Sequence, residues 1–163
     1  MLVGQLLRNL DTKALWKLLG ICFSNMSFIY PTFLATKKCI RYTEQEFGDQ
    51  HHTNNNSNAF RHALWNYLIL DYSIQYLNSE KKSLHWAKKI TDLHEELFKN
   101  SPLEKAMDDH NNEAGRVFYL ANKSCSRTEN MKSLKHLADA SLAIQNISEI
   151  KAQSQEQLVH LNE

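Results

Sequence analysis

Three histidines lie on segments that the sequence predicts to be separate helices, and each is predicted to face the interior. They are His62 in NAFRHALWN, His94 in TDLHEE and His110 in MDDHNNEAGR. Histidine is an infrequent core residue, and neutral imidazole is the commonest protein ligand for zinc and similar ions. We therefore expect the three rings to meet at one metal site, where Asp92 adds a carboxylate ligand.

Acidic side chains beside these histidines supply further chemistry. Glu95 and Asp108 are candidates for the general base that activates a water molecule. A divalent metal ion, with zinc favoured, is the expected cofactor because zinc accepts imidazole and carboxylate ligands. No HExxH zinc motif is present, since HEELF and HNNEA carry no second histidine on the same helix. The alternative is a polar core, in which the histidines bond to amide and backbone groups and fix the helix register.

Two arginines and two asparagines in the same motifs are suited to binding an anion. Arg61 and Arg116 can hold phosphate or carboxylate through paired N–H groups. Asn66 and Asn111 can orient an oxyanion or a water molecule. The alternative for Arg116 is a contact with a residue one turn back on its own helix. The expected pocket wall contains Arg61, Asn66, Glu95 and Asn111.

The segments that carry these residues have the periodicity of helices. Residues Asn58 to Leu77 are apolar nearly all round, which is typical of a central buried helix. A second helix is predicted from Ser79 to Phe98, and the capping box SPLE with its proline predicts a third that begins at Pro102. Short connections favour antiparallel neighbours, so the three histidines are expected at the same end of the bundle.

The flanking segments are also predicted to be mainly helical. Helices are expected from Asp11 or Thr12 to Phe23 and from Pro31 to Gly48, followed by a polar loop from Asp49 to Ser57. The first helix is apolar over more than half of its circumference, so it either packs on the domain or lies in a membrane interface. A further helix is predicted from Met131 to Leu142, and the final residues QLVHLNE are predicted to be extended.

Composition favours a single all-α domain over residues 1–163, with about six helices in orthogonal or bundle-like packing. The 163 residues include only four glycines and two prolines. Residues 1–48 form the apolar N-terminal helices and residues 58–122 the site-bearing core. The net charge of +1 provides no basic field, so no nucleic-acid partner is expected. Three cysteines without CxxC spacing predict reduced thiols and a cytoplasmic location, with peripheral contact at the inner membrane as the alternative.

The combination of NAFRHALWN, DLHEE and MDDHNNEAGR resembles an uncharacterised family of bacterial all-helical domains, over roughly Phe33 to Tyr119. The shared pattern is NAFRHAxWN, DxHE and MDxHNNxxGR. The resemblance implies an all-helical fold and no established activity. It draws attention to Arg61, His62, Trp65, Asn66, Asp92, His94, Glu95, Asp108, His110, Asn111, Asn112, Gly115 and Arg116.

Two hypotheses about function follow from these residues. The first is a metal-assisted hydrolase that acts on a phosphoester, such as a lipid or another envelope component. Its helical, histidine- and carboxylate-rich arrangement resembles the architecture of zinc-dependent phospholipases C, although their ligand spacing is absent. The second is a non-catalytic binding or scaffold protein whose N-terminal helices dock on a membrane or a partner. The sequence leaves the oligomeric state open.

Overall fold

A computed structural model describes residues 12–48, 55–98 and 100–162, with side chains from Trp16 onward. The predicted all-α fold with about six main helices is confirmed. Residues 1–11 and most of the predicted loop from Asp49 to Ser57 lie outside the described residues. The described part contains α1 (Thr12–Phe23), α2 (Met26–Phe47), α3 (Asn56–Leu77), α4 (Glu80–Leu97), α5 (Pro102–Ala121), α6 (Arg127–Asp139), β1 (Leu142–Ile144), α7 (Ile147–Ala152) and β2 (Val159–Leu161).

Helix α3 is the centre of the fold and contacts α2, α4, α5 and α6. Most of its apolar side chains from Ala59 to Leu70 are buried, and Leu68, Ile69 and Leu70, which point in three different directions, are fully buried. The Asn55 side chain accepts a hydrogen bond from the Ser57 amide and caps the first turn. Burial of each large apolar side chain contributes about 1.5–3 kcal/mol, so tertiary packing is the main stabilisation of this helix.

The capping box predicted for α5 is confirmed. The Ser101 hydroxyl accepts a hydrogen bond from the Glu104 amide at 3.2 Å, and the Glu104 carboxylate accepts one from the Ser101 amide at 2.7 Å. A second capping box, formed by Ser126 and Glu129, starts α6 at Arg127. The predicted start of this helix at Met131 was therefore four residues late.

Helix α2 begins at Met26, which corrects the predicted start at Pro31. Proline is unfavourable inside a helix because it lacks the N–H that bonds to the preceding turn. The buried face continues through Phe28, Pro31 and Ala35, however, and the Phe28 ring stacks on Trp86 at 5.3 Å between centroids. Packing against α4 therefore extends the helix past the proline.

The last described residues form a segment that packs on the outer face of α5. Strands β1 and β2 pair in parallel, with Leu142 opposite Val159, and α7 connects them. A small apolar cluster joins this segment to α5 through Met107, Ile144 and Val159. The extended conformation predicted for the final residues is observed in β2, whereas the predicted helix up to Leu142 ends at Asp139.

Helices α3 and α5 approach so closely at Gly115 that no side chain fits there. A Cβ atom on Gly115 would lie 2.2 Å from the backbone oxygen of Ala63. Real Cβ atoms do not approach a backbone oxygen this closely, so any larger residue must separate the two helices. The same approach brings α5 side chains within hydrogen-bond distance of His62 on α3.

We expect Gly115→Ala to lower the free energy of unfolding by about 1–3 kcal/mol, because overpacking forces the backbones apart. Urea unfolding measures this loss. The matched control is Gly20→Ala in α1, where an added Cβ would meet nothing within 4 Å. This control should be neutral or stabilising by up to about 1 kcal/mol, since alanine has the higher helix propensity. Equal stability of Gly115→Ala and wild type would contradict the close approach.

Candidate functional site

His62, Glu95 and Asp108 meet in the interior where α3, α4 and α5 come together. All three residues are buried, with only 3–4% of their surface exposed. His62 Nε2 lies 3.2 Å from Asp108 Oδ1, and His62 Nδ1 lies 3.4 Å from Glu95 Oε1. One ligand atom from each of the three residues lies within 4.8 Å of the others. This group, which we call the His62 cluster, places two carboxylates around one imidazole.

A chain of amide hydrogen bonds fixes the His62 ring. The Arg116 guanidinium donates to Asn66 Oδ1 at 2.6 Å, and Asn66 Nδ2 donates to Asn112 Oδ1 at 2.7 Å. Asn112 Oδ1 also lies 3.2 Å from His62 Nδ1, while Asn112 Nδ2 donates to Glu95 at 3.0 Å. Because an amide oxygen only accepts, His62 Nδ1 must carry the proton. The lone pair of the neutral ring is therefore on Nε2.

This tautomer directs the His62 lone pair at another acceptor. Asp108 Oδ1, 3.2 Å from Nε2, already accepts a hydrogen bond from Asn58 at 2.9 Å. Glu95 Oε2 is buried and has no hydrogen-bond partner among the described residues. Two facing acceptors and an unsatisfied carboxylate oxygen require a proton or a cation between them.

One distance in the His62 cluster matches the ligand spacing of a divalent cation site. Zinc binds nitrogen and carboxylate oxygen at about 2.0–2.2 Å, so neighbouring ligand atoms of a tetrahedral site lie about 3.3 Å apart. The 3.2 Å between His62 Nε2 and Asp108 Oδ1 is close to that value. A histidine ligand commonly donates its other ring N–H to an oxygen, as the His62 N–H does to Asn112. The three residues offer one nitrogen and two carboxylate ligands that could hold a metal ion.

Burial shifts the pKa values of all three residues. It lowers the pKa of His62 well below its usual value, and the nearby Arg61 charge adds to this effect, so the ring is neutral at physiological pH. Burial and, second to it, the adjacent Asp108 carboxylate together raise the pKa of Glu95 to about 7. The pKa of Asp108 rises to about 6, also through burial, against the opposing effect of its bond to Asn58. Protons and a metal ion would therefore compete for the cluster near neutral pH.

A second imidazole and a guanidinium lie beside the His62 cluster. The His94 ring centroid is 6.5 Å from that of His62 and 4.5 Å from that of Phe98. Burial lowers the pKa of His94 to about 4, and the Arg61 charge contributes. Arg61 is half-buried and donates to Asn58, which bonds to Asp108. His94, predicted as a metal ligand, thus lies next to the three-residue group and not within it.

His110 and Asn111 face away from the His62 cluster, so the expectation that all three histidine rings share one pocket fails. His110 Nε2 lies 2.8 Å from the backbone oxygen of Gln157. The Asn111 side chain exchanges two hydrogen bonds with the backbone of Val159, at 2.8 and 3.0 Å. Residues 108 and 110 are about 200° apart on a helix, and α5 is buried on both sides. His110 and Asn111 lie on the outer face of α5, which the C-terminal segment covers.

Asp92 and Arg116 also lie in surroundings other than those predicted. Asp92 is exposed and forms an ion pair with Lys88 at 2.8 Å, so it does not join the metal-binding group. Arg116 is buried, and its N–H groups bond to Asn66, Thr91 and Glu113. The Arg116 contact with Glu113, one turn back on α5, is the alternative to anion binding that the sequence left open for Arg116. Arg116 therefore positions Asn66, whereas Arg61 is the guanidinium whose charge acts on His62, His94 and Asp108.

Sequence reasoning gave no role to Asn58 or Asn100, and it expected Asn112 to bond to a histidine only in the alternative of a polar core. Asn112 orients His62, while Asn58 and Asn100 donate to the two oxygens of Asp108 at 2.9 and 2.8 Å. The spacing in MDDHNNEAGR contained the relevant signal, because Asp108 and Asn112 are four residues apart and share one face of a helix.

Comparisons with known proteins give one match. A family model described as "Domain of unknown function (DUF6973)" matches residues 19–142, which is more than half of the chain. No curated protein and no solved structure matches significantly. The matched range contains α2 to α6 and therefore the whole of the His62 cluster.

Proposed function

We propose that this chain, which belongs to the DUF6973 family of domains of unknown function, is a metal-assisted hydrolase of phosphoesters. The observation that carries this proposal is the convergence of acceptor atoms in the His62 cluster. His62 Nε2 and Asp108 Oδ1 face each other, and Glu95 Oε2 lacks a partner among the described residues. A buried set of one imidazole and two carboxylates needs a cation to be satisfied while ionised.

Zinc is the ion that we favour for this donor set. Catalytic zinc sites commonly use three protein ligands drawn from histidine, aspartate and glutamate, with a fourth position open to water or substrate. In this role a divalent ion would supply Lewis acidity and lower the pKa of a coordinated water molecule. The amide groups of Asn112 and Asn58 would hold the ligands in place, as they already bond to Glu95 and Asp108.

Arg61 and His94 are the residues that we assign to the substrate. The Arg61 guanidinium is suited to a phosphoryl group because its planar donors match the geometry of phosphate oxygens. Its charge is one of the two causes that lower the pKa of His94, the other being burial. A bound anion would offset that charge and raise the pKa of His94. The neutral ring would then accept a proton from the attacking water more readily.

The substrate that we propose is a phosphoester of a lipid or of another envelope component. We expect zinc-loaded protein to hydrolyse bis(p-nitrophenyl) phosphate and to lose this activity when a chelator removes the metal. His94→Gln should lower kcat by about 100-fold while zinc binding is retained, because a proton acceptor is lost. Arg61→Met should raise KM about tenfold with a smaller effect on kcat, because the anion clamp is lost.

The control for loss of a cation is Lys88→Met, since Lys88 pairs with the exposed Asp92 and does not belong to the cluster. It should leave kcat and KM unchanged. A neutral ester, p-nitrophenyl acetate, distinguishes phosphoester chemistry from general esterase activity. Zinc binding without turnover of phosphodiester, phosphomonoester or phospholipid would refute the hydrolase and leave the metal site standing.

A further inference from the structure

Most of the exposed large apolar side chains in the described chain lie on its first two helices. Seven of eleven such residues occur between positions 16 and 33. Phe23 is 80% exposed and Trp16 is 75% exposed, which is unusual for aromatic side chains of this size. We call this set the N-terminal apolar surface; its members are Trp16, Leu19, Phe23, Met26, Ile29, Tyr30 and Phe33.

These residues form one stripe on each helix. Positions 16, 19 and 23 recur at helical spacing on α1, and positions 26, 29, 30 and 33 do so on α2. The two helices meet at a bend of 112°, with Phe23 and Met26 on either side of the break. The stripes therefore converge on an apolar corner that projects into solvent.

Residues at the flank of this stripe and on the opposite face attach α2 firmly to the rest of the protein. Trp86 donates to Thr32 at 2.8 Å and Trp65 donates to Thr36 at 2.9 Å. Phe28 adds the stacking contact with Trp86. The helix cannot turn to bury its exposed stripe without breaking these contacts, so the surface is held outward by the fold.

The charges within the stretch of chain that carries the N-terminal apolar surface have one sign, although Lys17 of this stretch forms an ion pair with Glu96 of α4. No aspartate or glutamate occurs between residues 12 and 43, whereas this stretch contains five basic residues. Lys37 and Arg41 continue the exposed stripe of α2 in steps of four residues after Phe33, and both are exposed. Long basic side chains beside an apolar stripe can place their charges at the headgroups while their stems lie on apolar groups.

We propose that the N-terminal apolar surface, together with Lys37 and Arg41, docks on the interface of a bilayer that contains anionic lipid. Aromatic and aliphatic side chains at the corner enter the boundary between headgroups and acyl chains, and the basic residues contact anionic headgroups. A second copy of the chain fits this surface less well, because it would bring basic residues of the same sign together.

The apolarity of the two helices agrees with a lipid partner. No single helix among the described residues is long and apolar enough to cross a membrane, but the bent pair of α1 and α2 passes that test when taken together. Because no single helix passes, we propose that α1 and α2 contact the surface of the bilayer and do not cross it. This proposal rests on exposure and charge alone and is independent of the metal site.

Sedimentation with vesicles tests this proposal on the full chain. Wild type is expected to sediment with vesicles of phosphatidylcholine mixed with phosphatidylglycerol, and less so with vesicles of phosphatidylcholine alone. Replacing both Phe23→Ser and Met26→Ser should reduce the partition coefficient about tenfold or more, because the corner no longer enters the bilayer. Replacing both Lys37→Gln and Arg41→Gln should cause a similar loss on the anionic vesicles only, and added salt should reproduce it.

Leu120→Ser is the matched control, because Leu120 is an exposed apolar residue on α5, outside this surface. It should bind as wild type does, and circular dichroism should show that every variant is folded. Failure of wild type to bind either type of vesicle overturns the proposal. Concentration-dependent dimerisation that Phe23→Ser with Met26→Ser abolishes, without vesicle binding, overturns it in favour of a second copy.

Discussion

In metal-free protein, Glu95→Gln is expected to be more favourable to stability at pH 8 than at pH 4. The free energy of unfolding of the variant minus that of wild type should be about 3 kcal/mol higher at pH 8 than at pH 4. The reason is that burial raises the pKa of Glu95 from 4.5 to about 7 in the folded state. Between these two values the folded state binds more protons than the unfolded state. Wild-type stability from this residue is therefore present below pH 4.5 and is lost as the pH rises to 7.

The glutamine variant removes this titration while keeping an oxygen that can accept from Asn112. Urea unfolding in the presence of a chelator, at several pH values, gives the difference between variant and wild type. That difference isolates Glu95 from His62, His94 and Asp108, whose pKa shifts also change stability with pH. A difference that does not change with pH would show that Glu95 does not titrate in this range.

Glu96→Gln is the control for this experiment. Glu96 is the adjacent residue and is exposed, with an ion pair to Lys17. Surface ion pairs contribute about 0–1 kcal/mol, so its replacement should have a small effect at every pH. Excess zinc should stabilise wild type and Glu96→Gln more than it stabilises Glu95→Gln, because a ligand that binds only the folded state raises its stability in proportion to the logarithm of its affinity.

The sequence contained enough information for the helices and for part of the site. Local capping signals placed the start of α5 at Pro102, and the all-round apolar pattern identified α3 as the central helix. His62 and Glu95, on the predicted inward faces of α3 and α4, do meet. The first two predictions depend on residues within a single helix. The third depends on the inward face of each helix and on the short connection that makes α3 and α4 neighbours.

The errors arose where tertiary contacts decide the outcome. His110 lies on the predicted apolar stripe of α5, but that stripe packs against the C-terminal segment, whose two strands have only three residues each. Such short strands carry little local signal. The opposite face of α5 is polar and equally buried, with Asp108 and Asn112 directed at His62. A buried polar face could not be told from a solvated one by periodicity alone.

Arg116 illustrates the same difficulty for a charged residue. Its place in a motif predicted a ligand contact, whereas its guanidinium is buried and bonds to Asn66. Removal of one partner from such a buried network commonly costs about 3–5 kcal/mol. A residue of this kind contributes to the site through the orientation of Asn112 and His62. Sequence spacing cannot distinguish this positioning role from direct binding.

Zinc titration of metal-free protein by calorimetry tests the central claim most directly. We expect one equivalent to bind and protons to be released, because Glu95, with a pKa of about 7, is partly protonated before binding. His62→Ala, Glu95→Gln and Asp108→Asn should each weaken zinc binding by about 100-fold or more, since each removes one of three protein ligands. His110→Ala should bind zinc as wild type does, because His110 contacts Gln157 on the other face of α5. Absence of saturable binding, or an equal loss in His110→Ala and His62→Ala, would contradict the metal site.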